Sequence, residues 1–291
     1  MLCAAVEHSA VRDASARAAP TESITVDGEG RLVVDALRSR LEDPDRPRPA
    51  LVHCQWANHE VGSLQPVHEV VALCRELEVT VHVDAAAACG HVSMDLAALE
   101  ADLVSVSAHK LGGVPGAGAL IVRRGTRFEP LLVGGEQERG RRAGLEAIPA
   151  LLAFGGAAAA LSEEGQRTIA SEEATARIQV EGMVETALAV GGVEVIGPPA
   201  MERLPHLVCL GVDGVEAEPV LIGLDRAGVA VHSGSACSSE SIEPSPVLEA
   251  MGADPSHSLR LSVGWTTSEA DCAAFAAAFP RVVADLRALR S

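Results

Sequence analysis

The segment SVSAHKLGGVPGAGALIV holds the residues of this chain best placed to do chemistry. Ser107, His109 and Lys110 follow an apolar, β-branched run there and precede a glycine-rich turn. A lysine amine can form a Schiff base with a carbonyl compound once it has lost its proton. Lys110 is the only lysine among the 23 lysine and arginine residues. Its spacing alone reads as a solvated loop lysine; its scarcity points to a position that needs an amine able to deprotonate, which arginine cannot supply. Asp84 stands out as well, because it follows a second apolar run at residues 80–83. So does Cys237, in SGSACSS, a stretch too polar and too rich in small residues for a core strand, which predicts an exposed loop.

Elements that could position these groups are readable from hydrophobic periodicity. Residues 102–107 read as a buried strand, since Leu103, Val104 and Val106 make too short a run for a helix and are stopped by Gly112, Gly113 and Pro115. Further strands are expected at 50–55, 80–83 and 117–122. Pro66 opens a helix in which Val67, Val70, Val71, Cys74 and Leu77 recur at helical spacing. This alternation is the βαβ pattern of an α/β fold, a mostly parallel sheet with helices on both faces. Asp84 and Lys110 then leave the sheet on one rim, where open α/β sheets bind ligands. From about residue 150 the chain turns to alanine-rich helices, GGVEVIGPP and a strand at 206–211. Two domains are expected, a large one over 1–165 and a smaller α+β one over 166–291 that carries the Cys237 loop. Thr266 with Glu269 predicts a capping box for the last helix, and Pro280 predicts a kink within it.

Composition narrows the function classes. The net charge of -17 disfavours direct binding to nucleic acid or anionic membrane, because each phosphate contact needs a cation. No apolar run has the length of a membrane span, and the opening MLCAAVEH lacks the basic region of a signal peptide, which predicts a cytoplasmic protein. The 7 cysteines include no C-x-x-C pair and no cysteine–histidine cluster at ligand spacing, so neither a disulfide framework nor a structural metal site is expected. Apart from Cys237 they lie in apolar or helical contexts and read as small buried hydrophobes. With no tyrosine and few other aromatics, a histidine is a reasonable ring to stack on a flat cofactor.

Five segments taken together carry a resemblance: VEHSAV, VHVDAAAACG, SVSAHKLGG, HSGSACSSESIEPS and HSLRLSVG, with GGEQERGRRAG between the third and fourth. In this order and spacing they resemble the cysteine desulfurases of the class V aminotransferase group, pyridoxal phosphate enzymes of fold type I. The likeness runs over nearly the whole chain. The Cys237 segment is similar to the branch that serves iron–sulfur clusters or tRNA thiolation. The resemblance implies that Lys110 holds the cofactor as a Schiff base and moves the substrate α-proton, and that Asp84 pairs with the pyridinium nitrogen. By the same resemblance Ser107 and His109 donate to the phosphate, and His8 stacks on the ring and assists proton transfer. Arg260 would clamp the α-carboxylate of L-cysteine. Cys237 would take the sulfur as a persulfide and release alanine. A homodimer and a sulfur-acceptor or scaffold protein are the implied partners.

The chain departs from the family pattern at several places. It begins inside the large domain, so the leading elements, including a glycine–threonine turn that holds the phosphate, are expected to be absent. A sheet without them would expose an apolar edge or face. In WANHEVG, His59 stands where the family has asparagine beside the cofactor's phenolic oxygen, and its imidazole can still donate there. Ala87 replaces a glutamine that touches the same oxygen, and Leu145 replaces a threonine that reaches the partner's phosphate. Each lost hydrogen bond to a charged group is worth about 1–3 kcal/mol of cofactor binding. Two other readings share these residues: a cofactor-poor relative acting as a partner or regulatory subunit, and another class V activity such as an aminotransferase or β-lyase.

Overall fold

A computed structural model describes residues 1–162, 168–233 and 244–289. Its first half builds one sheet from β1 (Leu2–Ala4), β2 (Glu22–Ile24), β3 (Leu51–Gln55), β4 (Thr80–Asp84), β5 (Leu103–Ser107) and β6 (Gly118–Val122), in the order β2-β1-β3-β4-β5-β6. All neighbours are parallel except β5 and β6. The helices of this half are α1 (Ser9–Ala18), α2 (Val34–Glu42), α3 (Val67–Glu76) and the short α4 (Leu96–Leu99). The expected strands are all present, and α3 begins after Pro66 with Val67, Val70, Val71 and Cys74 buried, as its spacing predicts. Parallel strands covered on both faces are largely apolar, and Leu2, Val52, Val81 and Val83 are fully buried.

After α5 (Gln137–Gly140), α6 (Ile148–Ala160) and α7 (Ile169–Leu188) comes a second sheet of β7 (Val193–Ile196), β8 (Leu207–Val212), β9 (His232–Ser233) and β10 (Ser258–Ser262), ordered β7-β8-β10-β9. Its strands are antiparallel. α8 (Ala217–Arg226), α9 (Pro246–Met251) and α10 (Glu269–Ala288) complete the chain. This half has its own core: Val208, Leu210, Leu259 and Leu261 from the sheet, Val180 from α7, and Phe275 and Phe279 from α10. The expected domain boundary falls among residues 163–167, outside the described residues.

The capping box of α10 differs from the expected one. It is formed by Ser268 and Asp271, because a turn closed by the Thr267 N–H on the Gly264 carbonyl uses up the preceding residues. α10 continues through Pro280 to Ala288. Among the cysteines, Cys3, Cys54, Cys74 and Cys209 are buried, while Cys89 and Cys272 are half-buried. An apolar surface follows the edge strand β6: Leu131 is 94%, Val133 77%, Leu145 88% and Leu152 72% exposed. Several large apolar side chains this exposed in one stretch of chain mark a candidate interaction surface.

A carboxyl group is enclosed in the larger core. Glu7 is 1% exposed and accepts the Gln55 N–H through Oε1, while its Oε2 has no partner among the described residues. Burial, reinforced by the charge of Asp84, pushes its carboxyl up to about 8. A group that binds its proton more tightly folded than unfolded costs stability as pH rises between the two values. The free energy of unfolding is therefore expected to decline from about pH 5 to about pH 8, and Glu7→Gln to flatten that decline in urea titrations. In the second core, the rings of Phe275 and Phe279 stack at 5.1 Å. Phe279→Ala is expected to cost about 3–5 kcal/mol, read as a lower urea midpoint.

Candidate active site

The site is assembled where β3, β4 and β5 end side by side. Asp84 closes β4, half-buried, and its Oδ1 accepts the Ala86 N–H at 3.0 Å and the Ser105 hydroxyl at 3.1 Å. The first bond is the turn that aspartate makes two residues on; the second comes from the neighbouring strand, where Ser105 stands opposite Asp84 in register. β5 ends at Ser107 and passes into a single 3₁₀ turn, Ala108–Lys110. Leu111 and Gly113 both donate to the Ala108 carbonyl, and a Cβ on Gly113 would lie 3.0 Å from that oxygen. With Gly112 at φ +96°, the two glycines let the chain fold back at once and leave Lys110 at the rim.

His8 is the N-cap of α1, its Nδ1 accepting the Ala10 N–H at 3.0 Å. A neutral His8 therefore carries its proton on Nε2. Its ring meets that of His59 edge-on, with centroids 4.7 Å apart. His59 is positioned by the turn after Trp56, in which Asn58 Oδ1 accepts from the Glu60 and Val61 amides at 2.8 and 2.9 Å. Arg260 reaches from β10 in the second sheet, and its guanidinium donates to the His59 carbonyl at 3.1 Å.

His8, His59, Ala87, Lys110, His206 and Arg260 line one cavity of about 410 Å³. Four of the residues singled out in the sequence thus converge from both sheets. Asp84, Ser107 and His109 are not in this wall; Ser107 Oγ and His109 Nδ1 pair with each other at 2.8 Å on the exposed rim. Cys237 lies outside the described residues. Leu145 is on the exposed apolar surface.

Several residues of the site carried no motif. The His206 ring stacks on that of His91 at 3.8 Å, and His91 Nε2 bonds the Lys110 carbonyl at 2.9 Å. Burial, with the nearby charges of His91, Arg260 and Lys110, pushes the His206 imidazole down to about 3, so it is neutral. It adds a polar wall without adding charge. His53 and His82 lie beneath the site, and their only signal is a histidine flanked by apolar residues in each of two strands.

With this geometry in view, comparison with known proteins is informative. The pattern of the family described as aminotransferase class-V matches residues 1–275. A cysteine desulfurase of Cereibacter sphaeroides is 37% identical over 293 residues, covering 98% of this chain and 73% of that protein. One from Rhodobacter capsulatus is 38% identical over 295 residues, covering 99% and 74%. Among solved structures, a NifS-like protein from Rickettsia africae superposes with a TM-score of 0.85 at 26% identity, covering 97% of this chain and 74% of that one. A lysine delivered by a strand–turn–glycine segment beside a strand-end aspartate, and a match over nearly all of its length, agree that the chain belongs to the class-V aminotransferase family.

Proposed function

We propose that this chain is a pyridoxal phosphate-dependent cysteine desulfurase, which removes sulfur from L-cysteine, releases L-alanine and leaves a persulfide on Cys237. The observation that carries the reading is the convergence of Lys110, His8, His59 and Arg260 on one cavity at the rim where β4 delivers Asp84. The relatives of known activity favour this reaction over a cofactor-poor subunit or another class V chemistry.

The donor set fits the cofactor: a carboxylate, a primary amine, imidazoles and a hydroxyl–imidazole pair are the groups a cationic ring nitrogen, an aldehyde and a phosphate require. Pyridoxal phosphate, when bound, supplies an electron sink for negative charge at the substrate α-carbon. Asp84 would hold the proton on the ring nitrogen, and Ser107 with His109 would donate to the phosphate. His59 would donate to the phenolic oxygen, where Ala87 offers nothing. His8, held by its capping bond, would lie against the ring and hand on a proton through Nε2. Lys110 would anchor the cofactor and then take and return the proton at the α-carbon, a task for a neutral amine. Arg260, fastened to His59, would grip the α-carboxylate with its fork.

The remaining step belongs to Cys237. Its thiolate attacks the substrate sulfur; the new S–S bond forms as the C–S bond breaks, and the carbon gains a proton to become the methyl of alanine. The persulfide would then pass to an acceptor protein for iron–sulfur or thiolated products in the cytoplasm. A homodimer is the arrangement that accounts for the exposed Leu131, Val133, Leu145 and Leu152.

With pyridoxal phosphate added, the purified protein is expected to show the visible absorbance of a covalently held pyridoxal group. Lys110→Ala should abolish that absorbance and lower kcat by about 10²–10⁴-fold, and Lys110→Arg should not rescue it. Cys237→Ala should keep the colour and lose cysteine-dependent persulfide. A colourless wild type, or a Cys237→Ala protein that still releases sulfide at the native rate, would sink the reading. Sedimentation should give a dimer, and Val133→Asp with Leu145→Asp should shift it towards monomer.

A further inference from the structure

A row of polar side chains crosses the middle of the larger sheet beneath the site. His53 on β3 stands opposite His82 on β4, and Asp84, two residues on and so on the same face, stands opposite Ser105 on β5. α1 closes the far end with Ser15. Four contacts join them: Ser15 Oγ to His53 Nε2 at 3.2 Å, His53 Nδ1 to His82 Nδ1 at 3.0 Å, His82 Nε2 to Ser105 Oγ at 3.1 Å, and Ser105 Oγ to Asp84 Oδ1 at 3.1 Å. Ser15, His53 and His82 are 4%, 9% and 8% exposed, so water is kept from the two contacts at that end, while Ser105 and Asp84 are half-buried.

The chemistry of the groups dictates which atom donates at each contact. An ionised Asp84 only accepts, so the single proton of Ser105 is committed to Oδ1. Ser105 Oγ must then accept from His82 Nε2–H. A neutral His82 has only a lone pair left on Nδ1, so His53 donates from Nδ1, and its Nε2 accepts from the Ser15 hydroxyl. Burial keeps both imidazoles neutral, with that of His53 pushed down to about 4. All four hydrogen bonds therefore run in one direction, and bonds aligned this way polarise one another towards the charge at their end.

We propose that Ser105, His82 and His53 are positioning residues, a one-way hydrogen-bond chain that starts at Ser15 and holds the Asp84 carboxylate as an anion in one rotamer. Together with the Ala86 amide it places two donors on Oδ1 and, among the described residues, none on Oδ2, which leaves Oδ2 for a cationic partner. Besides Asp84, the charged and titratable groups beside this row are Glu7, on which Asp84 acts, the Met1 amino group, which acts on His53, and the Cys3 thiol, which bonds Ser15. The inference rests on Asp84 as the carboxylate that meets the cofactor's ring nitrogen, yet it describes a property of the protein before any cofactor binds.

The test is accordingly made on the cofactor-free protein. Long-range ¹H–¹⁵N correlation at neutral pH should find His53 protonated on Nδ1 and His82 on Nε2. A His82 protonated on Nδ1, or either ring as an imidazolium, would overturn the proposal with no variant needed. In ¹³C NMR at neutral pH, Ser105→Ala should shift the Asp84 carboxylate resonance, since it removes a hydrogen bond to a charged group, and Ser105→Thr should restore it. An Asp84 carboxylate resonance unchanged in folded Ser105→Ala also overturns it. In the loaded enzyme Ser105→Ala should lower kcat with little change in KM for cysteine, whereas a packing role would lower Tm and leave the Asp84 resonance and the histidine tautomers alone. Failure to bind pyridoxal phosphate would remove the functional reading while leaving the tautomers as derived, so the two failures are distinguishable.

Discussion

Parallel pairing of β3, β4 and β5 brings three strand ends to one rim, and the register of that pairing decides what meets there. Asp84 faces Ser105 and His53 faces His82 because the strands align at those positions. Strand side chains alternate between faces, so a slip of one residue would turn Asp84 and both histidines to the opposite face. The buried Val52, Val81, Val83 and Val104 hold the register, since a slip would carry their neighbours into the core. The site is thus a consequence of core packing.

A second constraint joins the two sheets. Arg260 crosses from β10 to the His59 carbonyl, and Ser245, the N-cap of α9, donates to buried Glu60. Leu204, just before β8, donates to the Gly62 carbonyl at 2.8 Å, where a positive φ and the nearby Leu207 side chain suit glycine. All three contacts fall on the single segment His59–Gly62 that follows β3. The smaller sheet is thereby fastened to the loop that carries one wall of the cavity, so the arginine and the lysine face a common space although 150 positions part Lys110 from Arg260.

Departures from the family pattern fall in two kinds. His59 is held on both sides, by His8 and by Glu60 at 3.4 Å. Ala87 offers no hydrogen bond to the cavity, and the neutral His206 stands on the same wall. The apolar surface around Leu145 and Val133 is a different matter, since it lies away from the cavity and bears on association.

Much of the fold is legible in the sequence because the large sheet is local in its signals. Apolar runs bounded by glycine and proline mark β3 to β6, helical spacing marks α3, and a lone lysine before Gly112 and Gly113 marks the turn that presents it. The capping box was misplaced by two residues because Thr267 is spent on a turn, which depends on backbone geometry that residue types do not reveal. The histidine pair beneath Asp84 was invisible for a related reason: His53 and His82 are far apart in the chain and acquire meaning only when strand register sets them side by side. The sequence alone determined which residues could anchor, clamp and attack, since amines, guanidinium groups and thiols have their chemistry wherever they stand. Only the tertiary structure decided which of them share a cavity, which carboxyl is buried as Glu7 is, and which way the protons point along the row that ends on Asp84, because burial, distance and direction are properties of packed neighbours.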